Sequence, residues 1–375
     1  MLLRKKLCAV AVFAAVLLML ASHSIQRRHF QPLSLALLNS QATPTSKETV
    51  VKPTVPPAVL APPSTPLFET EEEEEEEESE EKGEQTVKHM KSNQRLCGCS
   101  KSCISDMNGW DWFSQRYDPD QEPILRDTNN FDPDALAWWL GLQRSGNGQT
   151  LEEVVTQMFK VIPRPTEDTS PLPSRCRRCA VVGNSGNLRQ SGHGKLIDSH
   201  NSVIRMNKAV TRGFEKDVGN RTTHHFLYPE SAVDMSSGVS LVLLPFKLRD
   251  LEWLTSALST GRIKMTYMRV KERVMADKDK VLVVNPVFFK YVHDRWTEHH
   301  GRYPSTGMLA IIFALHTCDQ VSVFGYGADQ QGNWHHYWEE NRYAGAFRKT
   351  GVHSADFETQ VISQLAKEGK ISLHV

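Results

Sequence analysis

The feature that most constrains the fold lies between residue 179 and the C-terminus, where short β-branched runs alternate with stretches of helical periodicity. This alternation is typical of a parallel sheet, because neighbouring parallel strands need a crossover connection between them. The predicted strands lie near residues 180–182, 202–207, 223–228, 239–244, 281–285, 321–325 and 371–374. The sequence therefore predicts an α/β fold with a central, mostly parallel sheet of about seven strands flanked by helices.

Helices are predicted from apolar residues that recur at helical spacing. They cover residues 151–159, 249–260, 287–300, 306–317 and 354–368. Gly261 is expected to stop the second of these helices, and Ser305 to cap the fourth. Aromatic residues before the sheet, among them Trp138 and Trp139, are interpreted as core.

The N-terminal sequence predicts a targeting signal. Arg4, Lys5 and Lys6 precede an uncharged apolar run over residues 7–21. This pattern fits a cleaved signal peptide and equally an uncleaved signal anchor with its N-terminus in the cytosol. In either case, most of the chain is predicted to enter the secretory lumen.

A low-complexity segment separates this signal from the globular part. Residues 31–70 are rich in Pro, Thr and Ser, and residues 71–78 are an unbroken glutamate run, so both are predicted to stay solvated. The predicted organisation is a cytoplasmic tail at 1–6, a signal anchor at 7–24, a lumenal stem at 25–95 and a catalytic domain at 96–375.

Charge and cysteine content narrow the functional classes. Lys plus Arg and Asp plus Glu both total 44, so no global field attracts nucleic acid. Outside the apolar segment there is an even set of cysteines, which favours disulfides in an oxidising compartment over a zinc site. That set is Cys97, Cys99, Cys103, Cys176, Cys179 and Cys318.

Several short motifs could carry chemistry. A glycine-bearing loop at 183–188 follows the first predicted strand, which suits phosphate binding or a tight structural turn. Residues 302–307 open a helix with hydroxyl side chains, which suits an anion or ordinary capping. His335 and His336 follow a later strand, and His353 lies at the entry to the last helix. A lone histidine at such a position is usually structural, whereas a functional one would act as a base near neutral pH.

Together, these segments resemble the four sialylmotifs of the animal sialyltransferases, in the same order. The large motif is similar to residues 176–188 continuing to 228–231, and the small motif to 303–329. The third resembles His336-Tyr-Trp-Glu339, and the very small motif resembles the pair His353 and Glu358. The resemblance covers about residue 96 to the C-terminus and is closest to enzymes that sialylate the galactose of Galβ1,3GalNAc.

This resemblance implies a GT-A-like, Rossmann-type fold and an α-2,3-sialyltransferase that uses CMP-sialic acid, with inversion at the sugar carbon and no metal or other cofactor. His353 would be the general base, and His336 would stabilise the departing phosphate. Glu358 lies about 140° around an ideal helix from position 353, so it is expected to orient or pack the site. Three Asp-x-Asp pairs, 118/120, 132/134 and 277/279, are interpreted as turns.

Further site residues are carried over from the family. Implied acceptor contacts are Gln143 and His353. Implied donor contacts are Asn184, Asn207, Ser231, Tyr267, Tyr303, Ser305, Thr306, Gly307, Gly327 and His336. Implied disulfides are Cys179–Cys318, Cys99–Cys176 and Cys97–Cys103. Independently of the resemblance, residues 220–222 form a glycosylation sequon at Asn220.

The family context also predicts a single-pass type II protein of the Golgi membrane with a lumenal catalytic domain, acting on O-glycans of glycoproteins or on glycolipids. Homodimer formation and release by stem cleavage are left open. Two rival interpretations remain: a metal-dependent Golgi glycosyltransferase with another sugar specificity, and a catalytically silent glycan-binding protein of the Golgi.

Overall fold

A computed structural model describes residues 98–100, 103–106, 111–128, 131–142, 148–166, 175–329, 332–340 and 351–375. They all belong to one compact unit, Val87–Val375. The predicted tail, signal anchor and stem at residues 1–95 lie outside the described residues. Within these described ranges, no helix has the length and apolar character needed to span a bilayer.

A seven-stranded sheet forms the centre of the fold, and every pair of neighbouring strands is parallel. The strand order is β5-β4-β3-β2-β1-β6-β7. The strands are β1 (Arg178–Val182), β2 (Ser202–Met206), β3 (His224–Leu227), β4 (Ser240–Leu243), β5 (Val281–Val283), β6 (Gln320–Phe324) and β7 (Ser372–His374). The predicted α/β class and each predicted strand are confirmed.

Helices cover the sheet, and two further helices precede the first strand in the chain. They are α1 (Pro133–Gly141), α2 (Leu151–Met158), α3 (Gly194–Asp198), α4 (Glu215–Val218), α5 (Leu248–Ala257), α6 (Pro286–Tyr291), α7 (Thr306–Thr317) and α8 (Ala355–Lys367). Short 3₁₀ turns occur at Gly186–Leu188, Pro229–Ser231 and Lys278–Lys280. Gly261 follows α5 with φ +69°, which is the left-handed conformation expected after a helix end.

The strands are apolar on both faces, as parallel sheets require when helices cover each side. Val181, Ile204 and Phe226 pack in one cluster with α7, whereas Leu241 and Leu243 pack on the opposite face with α2 and α5. Because α7 lies within the core, its residues from Met308 to Thr317 are buried. The result is a three-layer arrangement of helices, sheet and helices.

One predicted helix is shorter than expected. The prediction was a helix over 287–300, but α6 ends at Tyr291 and is followed by a π-helical segment over Val292–Trp296. The helical backbone stops there, because Glu298 and His299 adopt left-handed conformations with φ 46° and 63°. This irregular exit leads the chain directly into the segment that pairs with His353.

Disulfides join distant parts of the domain. Cys179 at β1 is bonded to Cys318 at the end of α7, and Cys99 is bonded to Cys176. Both pairings were predicted. Because these four cysteines are joined in disulfide bonds, the zinc interpretation is excluded for them. The third predicted pairing, Cys97–Cys103, involves Cys97, which lies outside the described residues.

The strand order determines where a ligand can bind. The chain runs outward from β1 to β5 and then returns to the other side of β1 as β6. Loops that leave β1 and β6 therefore diverge at their carboxyl ends, and this switch point is the usual ligand crevice of an open α/β sheet.

Candidate active site

A cleft of about 1460 Å³ opens at this switch point. Most of the donor and acceptor residues predicted from the sequence line it. They are Asn184, Asn207, Tyr267, Tyr303, Ser305, Thr306, Gly307, Gly327, His336 and His353. The hydroxyl of Ser231 instead bonds the backbone of Tyr228, within a turn beside the cleft. Gln143 lies outside the described residues.

The floor of the cleft is formed by two loops in close backbone contact. The N–H of Gly183 after β1 donates to Phe324 O at 2.8 Å, and Ser185 N–H donates to Gly325 O at 3.1 Å. A side chain at position 183 would collide with Gly325 O, since a Cβ there would lie 2.3 Å from it. Gly325 has φ +69°. Only glycine allows this close approach.

Two asparagines present unused acceptors in the cleft. Asn184 Nδ2 donates to Met206 O at 3.1 Å, which fixes the amide plane. Within the described ranges, Asn184 Oδ1 and Asn207 Oδ1 are buried without a hydrogen-bond partner. A buried acceptor without a partner costs about 1–3 kcal/mol, so a ligand donor such as a base amino group or ribose hydroxyl would relieve it.

The N-terminus of α7 faces the cleft. Ser305 Oγ accepts the N–H of Met308 at 3.1 Å, so the predicted N-cap is confirmed. Thr306 and Gly307 follow at the start of the helix and line the cleft. Free N–H groups and the helix dipole at this end favour an anion such as a phosphate.

Glu358 supports this helix start. Its carboxylate accepts the backbone N–H of Ser305 at 2.8 Å and the Ser305 hydroxyl at 2.5 Å. Burial raises the pKa of Glu358 to about 7, although both hydrogen bonds from Ser305 act in the opposite direction. The prediction that Glu358 orients the site, without facing His353, is consistent with this contact.

His353 is held by backbone pairing. Gly301 forms a bridge to His353, and Arg302 N–H donates to Val352 O at 2.8 Å. His353 Nδ1 lies 2.9 Å from Tyr303 O. Because a carbonyl oxygen only accepts, Nδ1 carries the proton and the neutral ring keeps its lone pair on Nε2. Burial lowers the pKa of His353, and the hydrogen bond to Tyr303 O only partly offsets this effect.

His336 lies on another wall, in a segment attached to the glycine loop. Gly186 N–H donates to His335 O at 2.8 Å, and Tyr337 N–H donates to Asn184 O at 3.1 Å. The ring of His336 stacks on Trp338, and its Nδ1 bonds Glu339 at 3.1 Å. This hydrogen bond lowers the pKa of Glu339. The ring is thereby oriented with Nε2 as its remaining polar atom.

The sequence reasoning missed an ionic cluster in the same cleft. Lys247 follows β4 and forms ion pairs with Glu230 at 3.2 Å and Asp250 at 2.8 Å. Tyr267 lies over the Lys247 ammonium group. The sequence signal that could have indicated this cluster is the position of Glu230 and Lys247 just after two predicted strands. Residues that follow the carboxyl ends of parallel strands meet at one edge of the sheet.

The three Asp-x-Asp pairs form turns and caps, as predicted. Each first carboxylate accepts a backbone N–H two residues later, from Asp120, Asp134 and Asp279. Asn220 of the predicted sequon is exposed, near the start of the loop between α4 and β3. Its backbone N–H donates to Asp198.

The cleft therefore combines a histidine whose neutral ring has its lone pair on Nε2, a second histidine, a helix N-terminus and unused amide acceptors. These groups suit transfer of a group away from a nucleotide phosphate, since one histidine can accept a proton while anion-binding groups hold the leaving phosphate.

Comparisons with known proteins agree with this chemistry. The profile of glycosyltransferase family 29 (sialyltransferase) matches residues 124–370. CMP-N-acetylneuraminate-beta-galactosamide-alpha-2,3-sialyltransferase 2 of Mus musculus is 56% identical over 281 residues, covering 75% of this chain and 80% of that protein. The corresponding sialyltransferase 1 of Gallus gallus is 50% identical over 293 residues, covering 77% of this chain and 84% of its own.

A solved structure is similar throughout its length. The crystal structure of a mammalian sialyltransferase in complex with Gal-beta-1-3GalNAc-ortho-nitrophenol matches with a TM-score of 0.68 and 46% sequence identity. The match covers 74% of this chain and 98% of that one.

Proposed function

The chain belongs to glycosyltransferase family 29, the sialyltransferases, and we propose that it transfers sialic acid from CMP-sialic acid to the 3-hydroxyl of galactose in Galβ1,3GalNAc. The names of its relatives, which are beta-galactosamide-alpha-2,3-sialyltransferases, support the α-2,3 linkage. The acceptor is supported by the similar mammalian enzyme, which was solved with that disaccharide linked to ortho-nitrophenol.

The observation that carries the proposal is the state of His353. Its Nδ1 proton is committed to Tyr303 O, and its lowered pKa favours the neutral ring at pH 7. Nε2 can therefore accept the proton of the galactose 3-hydroxyl as that oxygen attacks the anomeric carbon of sialic acid. One bond forms at this carbon while the bond to the phosphate oxygen of CMP breaks, so the configuration inverts.

Negative charge develops on the CMP phosphate during this step and needs stabilisation. The N-terminus of α7 offers N–H donors, and the imidazolium form of His336 offers Nε2–H while its Nδ1–H donates to Glu339. Tyr303 and Tyr267 also line the cleft and can donate hydroxyl hydrogens. Asn184 and Asn207 are assigned to the nucleotide on the basis of their unused acceptor oxygens.

In this mechanism the protein supplies both the base and the phosphate contacts, so the proposed reaction needs no metal ion or other cofactor. The proposed setting is the Golgi lumen, with the chain anchored as a type II membrane protein and acting on O-glycans of glycoproteins or on glycolipids. The signal-like residues 1–24 support this location.

The test incubates the purified full chain with CMP-sialic acid and Galβ1,3GalNAc in EDTA, and compares wild type with His353→Ala. We expect linkage to galactose O3 by wild type and a loss of about 10²-fold or more in the variant. Activity that requires a divalent metal, or transfer of another sugar, would favour the metal-dependent rival. Binding of the disaccharide without transfer from any donor would favour the silent glycan-binding protein.

A further inference from the structure

Residues 264–270 form a small hairpin at the edge of the cleft, here called the tyrosine hairpin. Val270 N–H donates to Lys264 O, and Thr266 N–H donates to Met268 O, both at 3.0 Å. Its base is fixed, because Val270 is buried and Trp253 Nε1 donates to the next carbonyl, of Lys271. The hairpin carries Tyr267, which is implied as a donor contact.

The tip of this hairpin lacks apolar packing. Tyr267 is 71% exposed, Met265 55% and Met268 49%. Exposed side chains of this kind contribute little burial energy, so the conformation of the tip depends on specific contacts.

Two polar residues from the sheet edge make such contacts. Thr266 Oγ1 donates to Glu230 Oε1, and the Lys247 ammonium lies 4.7 Å from the centre of the Tyr267 ring. Glu230 is in the turn after β3, whereas Lys247 follows β4. Both residues line the cleft together with Thr266 and Tyr267.

Lys247 is itself held rigidly. Asp250 is fully buried, and it binds both the ammonium group of Lys247 at 2.8 Å and its backbone N–H at 3.1 Å. The side chain of Glu230, only 4% exposed, binds the ammonium group from another side at 3.2 Å. With two carboxylates and a ring face around its three N–H bonds, Lys247 is committed to the protein and is not placed to bind the anionic donor.

We propose that Lys247 and Glu230 are positioning residues that fix the tyrosine hairpin and thereby hold Tyr267 at the cleft. This inference rests on the proposed function, because the role of Tyr267 is to contact the sialic acid donor. A cation–π contact and a charge-assisted hydrogen bond are each strong enough to select one hairpin conformation over others.

The test uses the full chain and the variants Lys247→Met and Thr266→Val, which remove the two contacts separately. Lys264→Met is a matched control, since Lys264 is on the same hairpin but pairs with Glu272 in an exposed ion pair outside the cleft. Lys247→Arg is the conservative variant, because it keeps a cation over the ring.

We expect faster amide hydrogen exchange across residues 264–270 in Lys247→Met and Thr266→Val, together with a KM for CMP-sialic acid raised about threefold to tenfold. The kcat should stay within about twofold of wild type. Lys264→Met should match wild type, and Lys247→Arg should recover most of the KM. In a double-mutant cycle, Lys247→Met should add little to Tyr267→Ala, because both remove the same contact.

Unchanged exchange in both hairpin variants, or fully additive effects of Lys247→Met and Tyr267→Ala, would overturn the positioning role. A lowered melting temperature with no change in KM would also overturn it and would make the cluster purely structural. If wild type transfers no sialic acid, the proposed function fails instead, and hydrogen exchange alone still decides whether Lys247 and Glu230 hold the hairpin.

Discussion

Glu358 binds Ser305, 53 residues earlier in the chain, through both the backbone N–H and the hydroxyl group. The contact joins the first turn of α8 to the N-cap of α7. Ser305 Oγ also accepts the N–H of Met308 and so caps α7 at the cleft. The carboxyl group of Glu358 therefore binds the same hydroxyl group that forms this N-cap.

The burial of Glu358 predicts that the stability of the protein depends on pH. Burial raises the folded-state pKa of Glu358 to about 7, from an ordinary value of 4.5. A carboxyl group with a raised folded pKa contributes stability that is present below pH 4.5 and is lost as the pH rises through about 7. The free energy of unfolding of wild type should therefore fall between pH 5 and pH 8. In Glu358→Gln, whose side chain cannot ionise, we expect this fall to be smaller by about 2 kcal/mol.

Denaturant unfolding at a series of pH values measures this difference. Asp250 has a similarly raised pKa of about 7, but it is present in both proteins and cancels in the comparison. Parallel pH profiles for wild type and Glu358→Gln would contradict the prediction.

The lowered pKa of His353 predicts the acid limb of the reaction. A general base works in its unprotonated form, so kcat/KM should rise with pH and level off once His353 is neutral. Since burial lowers this pKa below its ordinary value of 6.5, we expect a midpoint below pH 6.5. Initial rates between pH 4.5 and pH 8 at subsaturating substrate give the midpoint, and a midpoint clearly above 6.5 would count against His353 as the base.

The disulfide between Cys179 and Cys318 should contribute substantially to stability. Both sulfurs are buried, and the bond closes a loop with a sequence separation of 139. We expect the double variant Cys179→Ala/Cys318→Ala to lose about 3–5 kcal/mol of unfolding free energy. Loss of Cys99–Cys176, with a separation of 77, should cost somewhat less by the same loop-entropy argument. Chemical denaturation of both variants provides the comparison, and a neutral first variant would refute the expectation.

The exposed Asn220 should carry an N-linked glycan when the chain is made in a secretory pathway. Asn220→Gln and Thr222→Ala both destroy the sequon, whereas Thr222→Ser keeps it. Thr222 Oγ1 also accepts a hydrogen bond from the buried Arg205 at 3.1 Å, so Thr222→Ser preserves this contact as well. We expect glycosidase treatment to remove one glycan from wild type and from Thr222→Ser, which increases their gel mobility. The mobility of Asn220→Gln and Thr222→Ala should not change. Equal shifts in all four proteins would show that the sequon is unused.

Local patterns were sufficient for the sheet and for individual caps. The strands could be predicted because both faces of the sheet are covered and most strands contain a short run of β-branched or other apolar residues. Ser305 was identified as a cap from its place before an apolar run. The helical angle between positions 353 and 358 does not apply, because His353 precedes the first residue of α8. None of this revealed that Glu358 reaches Ser305, since a contact between distant segments has no periodicity.

The missed features have the same cause. The shortened α6 depends on left-handed residues at 298 and 299, neither of which is glycine. The cluster around Lys247 depends on β3 and β4 being neighbours, which fixes Glu230 beside Lys247 only after the sheet has formed. Sequence separation hides such pairs, although their chemistry is ordinary once they meet.

The contact between Gly183 and Gly325 has a consequence for inferring structure from sets of related sequences. A Cβ at position 183 would lie 2.3 Å from the backbone oxygen of Gly325, whereas a Cβ at position 325 would lie 2.3 Å from Leu188 Cδ1. No substitution at 325 can remove the backbone oxygen that restricts position 183, and the side chain that restricts position 325 belongs to Leu188. Positions 183 and 325 should therefore not co-vary. Methods that detect contacts from correlated substitutions should miss one of the tightest contacts in the molecule, at the floor of its proposed nucleotide site.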